Sequence, residues 1–423
     1  MKQSLILKGH IVYSVGPAAL SVTENGYLVC VDGKSAGVFR EIPEKYAGLP
    51  VEDCGDRLII PGLTDLHVHA PQYAFRSLGM DMELLDWLNT YTFPEESRYA
   101  DPDYAERAYD RFVHDLTRGA TTRACIFGTL HREATGLLMR KLDASGLCTR
   151  VGKVNMDRNS PENLCEPSAA ASLADTRRWL EDVADLRRCR PILTPRFTPS
   201  CTDELMAGLG ALQKETGLPV QSHLSESPGE IAWVRALCPD TRFYGEAYSK
   251  FGLFGENGPC IMAHCVHSPD EEVEWMRKNG VFIAHCPQSN TNLCSGVAPV
   301  RRYLDEGLRV GLGTDVAGGA HLSVFRALTD AVAVSKLRWR LLDDSLAPLT
   351  FAEAFWLATV GGGAFFGKVG SFEDGYAFDA LVLDDSSLPA PRALSTQERL
   401  ERIAYQLEER AIAHKYVDGE KLF

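Results

Sequence analysis

Residues 61–72 read Pro61-Gly62-Leu63-Thr64-Asp65-Leu66-His67-Val68-His69-Ala70-Pro71-Gln72, and the rest of the chain is organised around them. The stretch follows the apolar run Leu58-Ile59-Ile60, which predicts a buried strand. Side chains alternate between the two faces of a strand, so His67 and His69 are expected to point the same way. Two imidazoles on one side of a strand end can share a metal ion. Taken alone, the pair could equally be two solvent-exposed histidines with no joint role.

Apolar strands alternate with amphipathic helical stretches from residue 58 onward. About eight such strands, separated by helical segments, predict a (β/α)8 barrel of the TIM type over residues 58–369. The predicted strands are Leu58–His67, Thr121–Phe127, Arg150–Asn155, Pro191–Arg196, Pro219–His223, Pro259–His264, Val281–His285 and Arg309–Asp315.

Both ends of the chain read as short β-strands joined by turns. Residues 1–57 contain the candidates Ser4–Leu7, His10–Ser14, Tyr27–Val31 and Gly37–Glu41, and β-type patterns return after residue 370. The simplest architecture is therefore an α/β chain in which the barrel is inserted into a small β-sandwich domain, built from residues 1–57 and 370–423.

Composition restricts the function classes. The 423 residues carry 44 basic and 57 acidic side chains, a net charge of −13, which argues against a nucleic-acid-binding surface. No signal-type stretch and no long apolar run stand out, so we expect no membrane span and a cytoplasmic location. The twelve cysteines form no Cys-x-x-Cys pair and read as small core residues in a reducing compartment.

Polar residues end most of the predicted barrel strands, where the active site of such a barrel lies. Each has a simpler interpretation, since a lone histidine is often a packing residue and Asp315 precedes a stretch typical of a helix cap. Their convergence on one barrel mouth favours a catalytic metal site, with Zn²⁺, Fe²⁺ or Mn²⁺ as the ion. Cys286 directly follows His285 and is expected to point away from it, so it is not counted as a ligand. The residues in question are His67, His69, Arg196, His223, His264, His285 and Asp315.

Longer motifs carry a resemblance over nearly the whole chain. The histidines and Asp315 resemble those of the metal-dependent amidohydrolase superfamily, and the motifs around them are similar to those of its guanine deaminases. These motifs are Pro61–Tyr73, Leu85–Pro94, Val151–Asp157, Pro195–Cys201, Gln221–Glu226, Ala284–Asn290 and Gly311–Gly319.

The resemblance implies hydrolytic deamination of guanine to xanthine and ammonia by a homodimer with one Zn²⁺ per chain, or Fe²⁺ in its place. It implies metal ligation by His67, His69, His223 and Asp315. His264 would act with Asp315 on the bound water, and Glu226 would be the proton shuttle. The purine would contact Gln72, Arg196, Phe197, His223 and Glu226.

The residues themselves leave other interpretations of the site and of the substrate open. Arg196 could pair with an acid, and Glu226 could be a first-turn helix charge. The substrate could be another N-heterocycle, such as a pterin, 8-oxoguanine or a triazine, or the chain could be an inactive binding or scaffold relative. The stretches 264–268 and 407–412 depart from the family pattern. If Glu226 is the shuttle, its pKa should be raised by a closed, partly apolar site.

Overall fold

The computed structural model describes residues 4–423. Its strands are β1 (Leu5–Gly16), β2 (Ala19–Val31), β3 (Lys34–Phe39), β4 (Val51–Pro61), β5 (Leu63–His69), β6 (Thr121–Phe127), β7 (Cys148–Gly152), β8 (Val154–Asn155), β9 (Cys189–Pro191), β10 (Thr194–Pro195), β11 (Val220–Leu224), β12 (Cys260–His264), β13 (Phe282–His285), β14 (Arg309–Leu312), β15 (Ala380–Leu383), β16 (Ile412–Val417) and β17 (Glu420–Lys421).

Its α-helices are α1 (Leu84–Trp87), α2 (Phe93–Glu96), α3 (Pro102–Arg118), α4 (Arg132–Ala144), α5 (Ala169–Asp182), α6 (Asp203–Thr216), α7 (Pro228–Leu237), α8 (Glu246–Ser249), α9 (Asp270–Asn279), α10 (Pro287–Asn292), α11 (Val300–Asp305), α12 (Val324–Leu341), α13 (Phe351–Trp356) and α14 (Thr396–Arg402). Within residues 4–423, none of these helices combines the length and the apolar character needed to cross a membrane.

The two ends of the chain meet in one seven-stranded mixed sheet, which we call the terminal sheet. Its strand order is β17-β16-β15-β4-β1-β2-β3, and β1 and β4 are its parallel pair. The predicted strands Ser4–Leu7 and His10–Ser14 are one continuous strand, β1, with a register shift between Gly9 and Ile11. A β-bulge absorbs the extra residue there, so the strand continues instead of ending in a turn.

The middle of the chain forms three all-parallel sheets, of order β5-β6-β7-β9, β8-β10 and β11-β12-β13-β14. The predicted strand Thr121–Phe127 is found with those bounds, and the other central strands overlap their predicted ranges. The prediction of one strand over Leu58–His67 is wrong. That segment is divided between β4 of the terminal sheet and β5, because the chain crosses between sheets at Gly62.

Gly62 is required at this crossing. A Cβ atom added to it would lie 2.2 Å from the side chain of Thr122 on β6, so no larger residue fits beside that strand. Its backbone N–H donates to the carbonyl of Asp379, 3.0 Å away, just before β15. The terminal sheet is thereby fastened to the start of the strand that carries His67 and His69.

Backbone hydrogen bonds join the edges of the parallel sheets. The N–H of Asp315 donates to the carbonyl of His67 at 2.8 Å, and the N–H of His69 donates to that of Val316 at 3.1 Å. On another edge, the N–H of Gln221 donates to the carbonyl of Leu193 at 3.0 Å. The end of β5 and the segment after β14 are therefore neighbours, although some 250 residues separate them in sequence.

A buried lysine links the terminal sheet to α3. Helix α3 buries one face, with Tyr109, Phe112 and Leu116 among its core residues, and ends at Arg118. The Nζ of Lys415 on β16 donates to the carbonyls of Thr117 at 3.0 Å, Gly119 at 2.9 Å and Thr121 at 2.5 Å. The amine of Lys415 thereby supplies hydrogen-bond donors to carbonyls at the helix end, where backbone carbonyls lack partners within the helix.

Candidate metal centre and adjoining cavity

Three histidines and one aspartate bring their donor atoms together at the ends of β5, β11 and β14. The Nε2 atoms of His67 and His69 lie 3.2 Å apart, and they are 3.1 and 3.3 Å from Oδ1 of Asp315. The Nε2 of His223 lies 3.3 Å from that of His69. A tetrahedral zinc ion with bonds of about 2.0 Å holds its ligand atoms about 3.3 Å apart. The spacing of His67, His69 and Asp315 therefore fits a metal ion, and His223 places a further donor atom beside His69.

Asp315 has a left-handed backbone conformation, and the buried carboxylate of Asp65 holds the residue before it. Asp315 has a φ of 46°, in the left-handed region. The Asp65 carboxylate, fully buried, accepts hydrogen bonds from the Thr314 hydroxyl at 2.6 Å, from the Thr314 N–H at 3.1 Å and from the His67 N–H at 3.1 Å. Asp65 thus ties β5 to the segment that carries Asp315.

The protonation states suit metal ligation. The Nδ1 of His223 lies 2.6 Å from the carbonyl of Arg196, which only accepts, so Nδ1 carries the proton and Nε2 keeps its lone pair. Burial lowers the pKa of His69 to about 4. Burial alone would raise the pKa of Asp315, but His67 and His69 lower it well below its ordinary value. Neutral imidazoles and an ionised carboxylate are the forms that bind metals.

His264 and Glu226 lie beside this cluster. The Nε2 of His264 is 3.4 Å from Oε2 of Glu226 and 3.8 Å from Oδ2 of Asp315, while its Nδ1 is 2.9 Å from Oδ1 of Asn290. The hydroxyl of Ser295 donates to Oε1 of Glu226 at 2.9 Å. Burial and the nearby Asp315 carboxylate raise the pKa of Glu226 to about 8, as the sequence-based argument expects. Glu226 is therefore an acid that can hold a proton near neutral pH.

The donor cluster opens into a cavity with a mixed polar and apolar lining. Apolar side chains form one part of its wall, and the cluster together with further polar groups forms the rest. The cavity is lined by His69, Gln72, Leu84, Trp87, Leu88, Arg196, Phe197, His223, Glu226, Glu230, His264, Leu293 and Asp315.

Arg196, one of the polar residues that line the cavity, belongs to an ion pair. Arg196 donates from Nη1 to the carboxylate of Glu96, and its guanidinium lies 5.2 Å from the centre of the Phe93 ring. Gln72 donates from Nε2 to Glu96 at 2.9 Å. Arg196 therefore has both features weighed from the sequence, since it pairs with an acid and also lines the cavity. Phe197 is buried and packs edge-to-face on Trp233, with 5.9 Å between the ring centres.

Cys286 lies beside the cluster, although the sequence does not predict it there. Its Sγ lies within 4.8 Å of donor atoms of His264 and Asp315. Strand β13 ends at His285, and the alternation of faces along a strand does not extend beyond its end. Burial raises the pKa of the Cys286 thiol well above its ordinary value.

Several site residues were missed from the sequence. Glu96 stands only two positions beyond the motif Leu85–Pro94, and Asn290 closes the motif Ala284–Asn290, so both could have been found there. The sequence places Glu230 in the first turn of a helix. It lies there in the structure, where its N–H donates to the hydroxyl of the capping residue Ser227 at 3.2 Å. Its carboxylate also lines the cavity. Ser295 has no signal in the sequence that would mark it.

The sequence profile of the amidohydrolase family matches residues 58–422. The chain is 35% identical to the guanine deaminase of Dictyostelium discoideum, covering 99% of this chain and 98% of that protein. It is 33% identical to the guanine deaminase of Escherichia coli (strain K12), covering 96% of this chain and 93% of that one. A crystal structure of guanine deaminase from C. acetobutylicum, with guanine bound in its active site, superposes with a TM-score of 0.96 at 47% identity over 100% of both chains.

Proposed function

The chain belongs to the amidohydrolase family, and we propose that it is an enzyme that hydrolyses guanine to xanthine and ammonia. One observation carries this proposal: a His/Asp cluster suited to a metal ion opens into a cavity that Arg196 and Gln72 also line. The similarity over the whole chain to a guanine deaminase that holds guanine supports the same substrate.

We also infer that the three parallel sheets are arcs of one (β/α)8 barrel. The hydrogen bonds between His67 and Asp315 and between Leu193 and Gln221 support closure at two of the junctions. A sandwich arrangement of the residues from 1–57 and 370–423, a homodimer and a cytoplasmic location stay predictions.

We propose zinc as the metal, with His67, His69, His223 and Asp315 as its ligands and one ion per chain. The donor set is three imidazoles and a carboxylate, which zinc accepts readily, while iron would also fit the ligand chemistry. When bound in such a site, zinc lowers the pKa of a water molecule from about 15.7 toward about 7.

His264, Asp315 and Glu226 would carry the protons of the reaction. His264 and Asp315 face one another and can take the proton of the attacking water as it adds to C2 of the purine. Glu226, protonated near neutral pH, can donate to ring N3 and then pass protons to the amine, which leaves as ammonia. Water thus supplies the oxygen of xanthine, and the C2–N bond is the one that breaks.

The remaining cavity residues would hold the purine in one orientation. Arg196 offers several N–H donors toward the O6 carbonyl, and Gln72 offers both a donor and an acceptor. Phe197 supplies an aromatic face, and His223 and Glu226 border the reacting edge of the ring. A heterocycle without matching groups would leave buried donors unpaired, which disfavours its binding.

The test measures the change in absorbance as the purified protein converts guanine. It is repeated after treatment with a chelator and again after zinc is restored. Ammonia release from guanine, a pterin, 8-oxoguanine and a triazine is measured in parallel. We expect turnover of guanine that a chelator abolishes and zinc restores. No turnover of guanine beside good turnover of a pterin would overturn the choice of substrate, and protein purified without metal or activity would favour an inactive relative.

A further inference from the structure

Glu96 is a buried carboxylate shared by two cavity residues, although it does not line the cavity itself. It ends α2, and only 2% of its surface is exposed. One of its oxygens accepts from Nε2 of Gln72 at 2.9 Å, and the other accepts from Nη1 of Arg196. Burying a carboxylate is costly unless it is paired, and both of its oxygens are paired with residues of the cavity wall.

Glu96 determines which way the Gln72 amide faces. A carboxylate only accepts hydrogen bonds, so the NH₂ end of the amide must be the end that faces Glu96. The Oε1 end then accepts from the Ala317 N–H at 3.2 Å. With both ends anchored, Gln72 keeps one N–H and one lone pair for a ligand in the cavity.

Glu96 also determines how the Arg196 guanidinium is presented. A guanidinium carries five N–H donors, and within residues 4–423 the bond to Glu96 is the side-chain hydrogen bond that Arg196 makes. The Phe93 ring lies 5.2 Å from the guanidinium carbon and supports its orientation. The other N–H donors of Arg196 therefore have a defined direction, and Arg196 borders the cavity.

We propose that Glu96 is a positioning residue that makes the cavity specific for a purine with a carbonyl oxygen at position 6. It acts through Arg196, which it aims at that oxygen, and through Gln72, whose donor and acceptor it assigns. This inference rests on the proposed function, because it concerns how guanine is recognised.

The test compares Glu96→Gln with the wild type on two substrates. Guanine carries the 6-oxo group, whereas 2-aminopurine has the same amine at C2 and no oxygen at position 6. A glutamine at 96 presents one acceptor and one NH₂ group to two donors, so Gln72 or Arg196 must turn away. A buried donor left unpaired is unfavourable, so guanine binds less tightly. We therefore expect KM for guanine to rise about tenfold to a hundredfold, with a smaller change in kcat.

The decisive readout is the ratio of kcat/KM for guanine to that for 2-aminopurine, which should fall about tenfold or more in Glu96→Gln. Glu95→Gln is the matched control, because Glu95 is the adjacent carboxylate but bonds to Tyr104 and lies near Arg98 instead. Its ratio should equal that of the wild type. If Glu96→Gln is insoluble, Glu96→Asp, which keeps the charge and shortens the side chain, should lower the same ratio.

The two possible failures are distinguishable. An unchanged ratio in a folded, active Glu96 variant overturns this inference and leaves the proposed function standing. Absence of guanine turnover in the zinc-loaded wild-type protein overturns the proposed function, and the inference falls with it.

Discussion

Replacement of Glu226 by glutamine tests whether this residue supplies a proton in the reaction. The amide oxygen of a glutamine can still accept from the Ser295 hydroxyl, which lies 2.9 Å from Oε1. The side chain keeps its size and its place 3.4 Å from Nε2 of His264. Glu226→Gln therefore removes the acid and preserves the shape of the cavity.

The expected magnitude follows from the pKa of Glu226. Because that pKa is raised to about 8, the protonated form outnumbers the ionised form by about ten to one at pH 7. Glutamine is neutral as well, so the affinity for guanine should change little. A positioned general acid contributes typically about 10²–10⁴-fold, so kcat should fall by that factor, or by about 2.7–5.4 kcal/mol of transition-state stabilisation.

The assay is steady-state guanine turnover between pH 5 and pH 10, with metal content measured on the same samples. The proton is lost as pH rises through about 8, so the wild-type kcat should fall on the alkaline side. The variant should lack that alkaline decline and keep its metal. A variant that retains the wild-type rate within a factor of about ten, with the same pH profile, would refute the proton-transfer role of Glu226.

Three further substitutions test other contacts. Arg196→Ala should raise KM for guanine by more than about tenfold in steady-state kinetics, and an unchanged KM would contradict its contact with O6. Asn290→Ala removes the partner of His264 Nδ1, so kcat should fall about tenfold without loss of metal, as measured by kinetics and metal analysis. Lys415→Met leaves helix-end and strand carbonyls unpaired, so thermal unfolding should report a loss of about 3 kcal/mol or more, whereas the exposed Lys45→Met should unfold like the wild type.

Much of the central fold could be predicted because a parallel strand buried on both faces is a short apolar run. Strand β6 has the predicted bounds, and β12 ends at His264 as expected. The division of Leu58–His67 could not be predicted, since both halves are apolar and the strand patterns on either side of Gly62 are alike. What separates them is the close approach of Thr122, which is a tertiary contact.

The candidate site could likewise be predicted where its residues follow a sequence pattern, but not where only a tertiary contact brings them together. The proposed ligand residues follow from their places at strand ends, because carboxyl ends of parallel strands meet at one edge of a sheet. The partnership of Glu96 with Arg196 joins residues 100 positions apart, and a glutamate near a helix start has an ordinary local explanation. The direction of Cys286 depends on where β13 ends, and element ends are the least predictable part of a sequence.

The terminal sheet has a consequence for how the chain is made. Strand β4 pairs on one side with β1 and on the other with β15 at Ala380–Leu383, more than 300 residues later in the sequence. During translation, one edge of β4 therefore stays unpaired until β15 has been made, and contacts so distant in sequence form slowly. An unpaired strand edge can pair with another chain, so the interval before β15 is made is the one in which we expect the nascent chain to be most prone to aggregation.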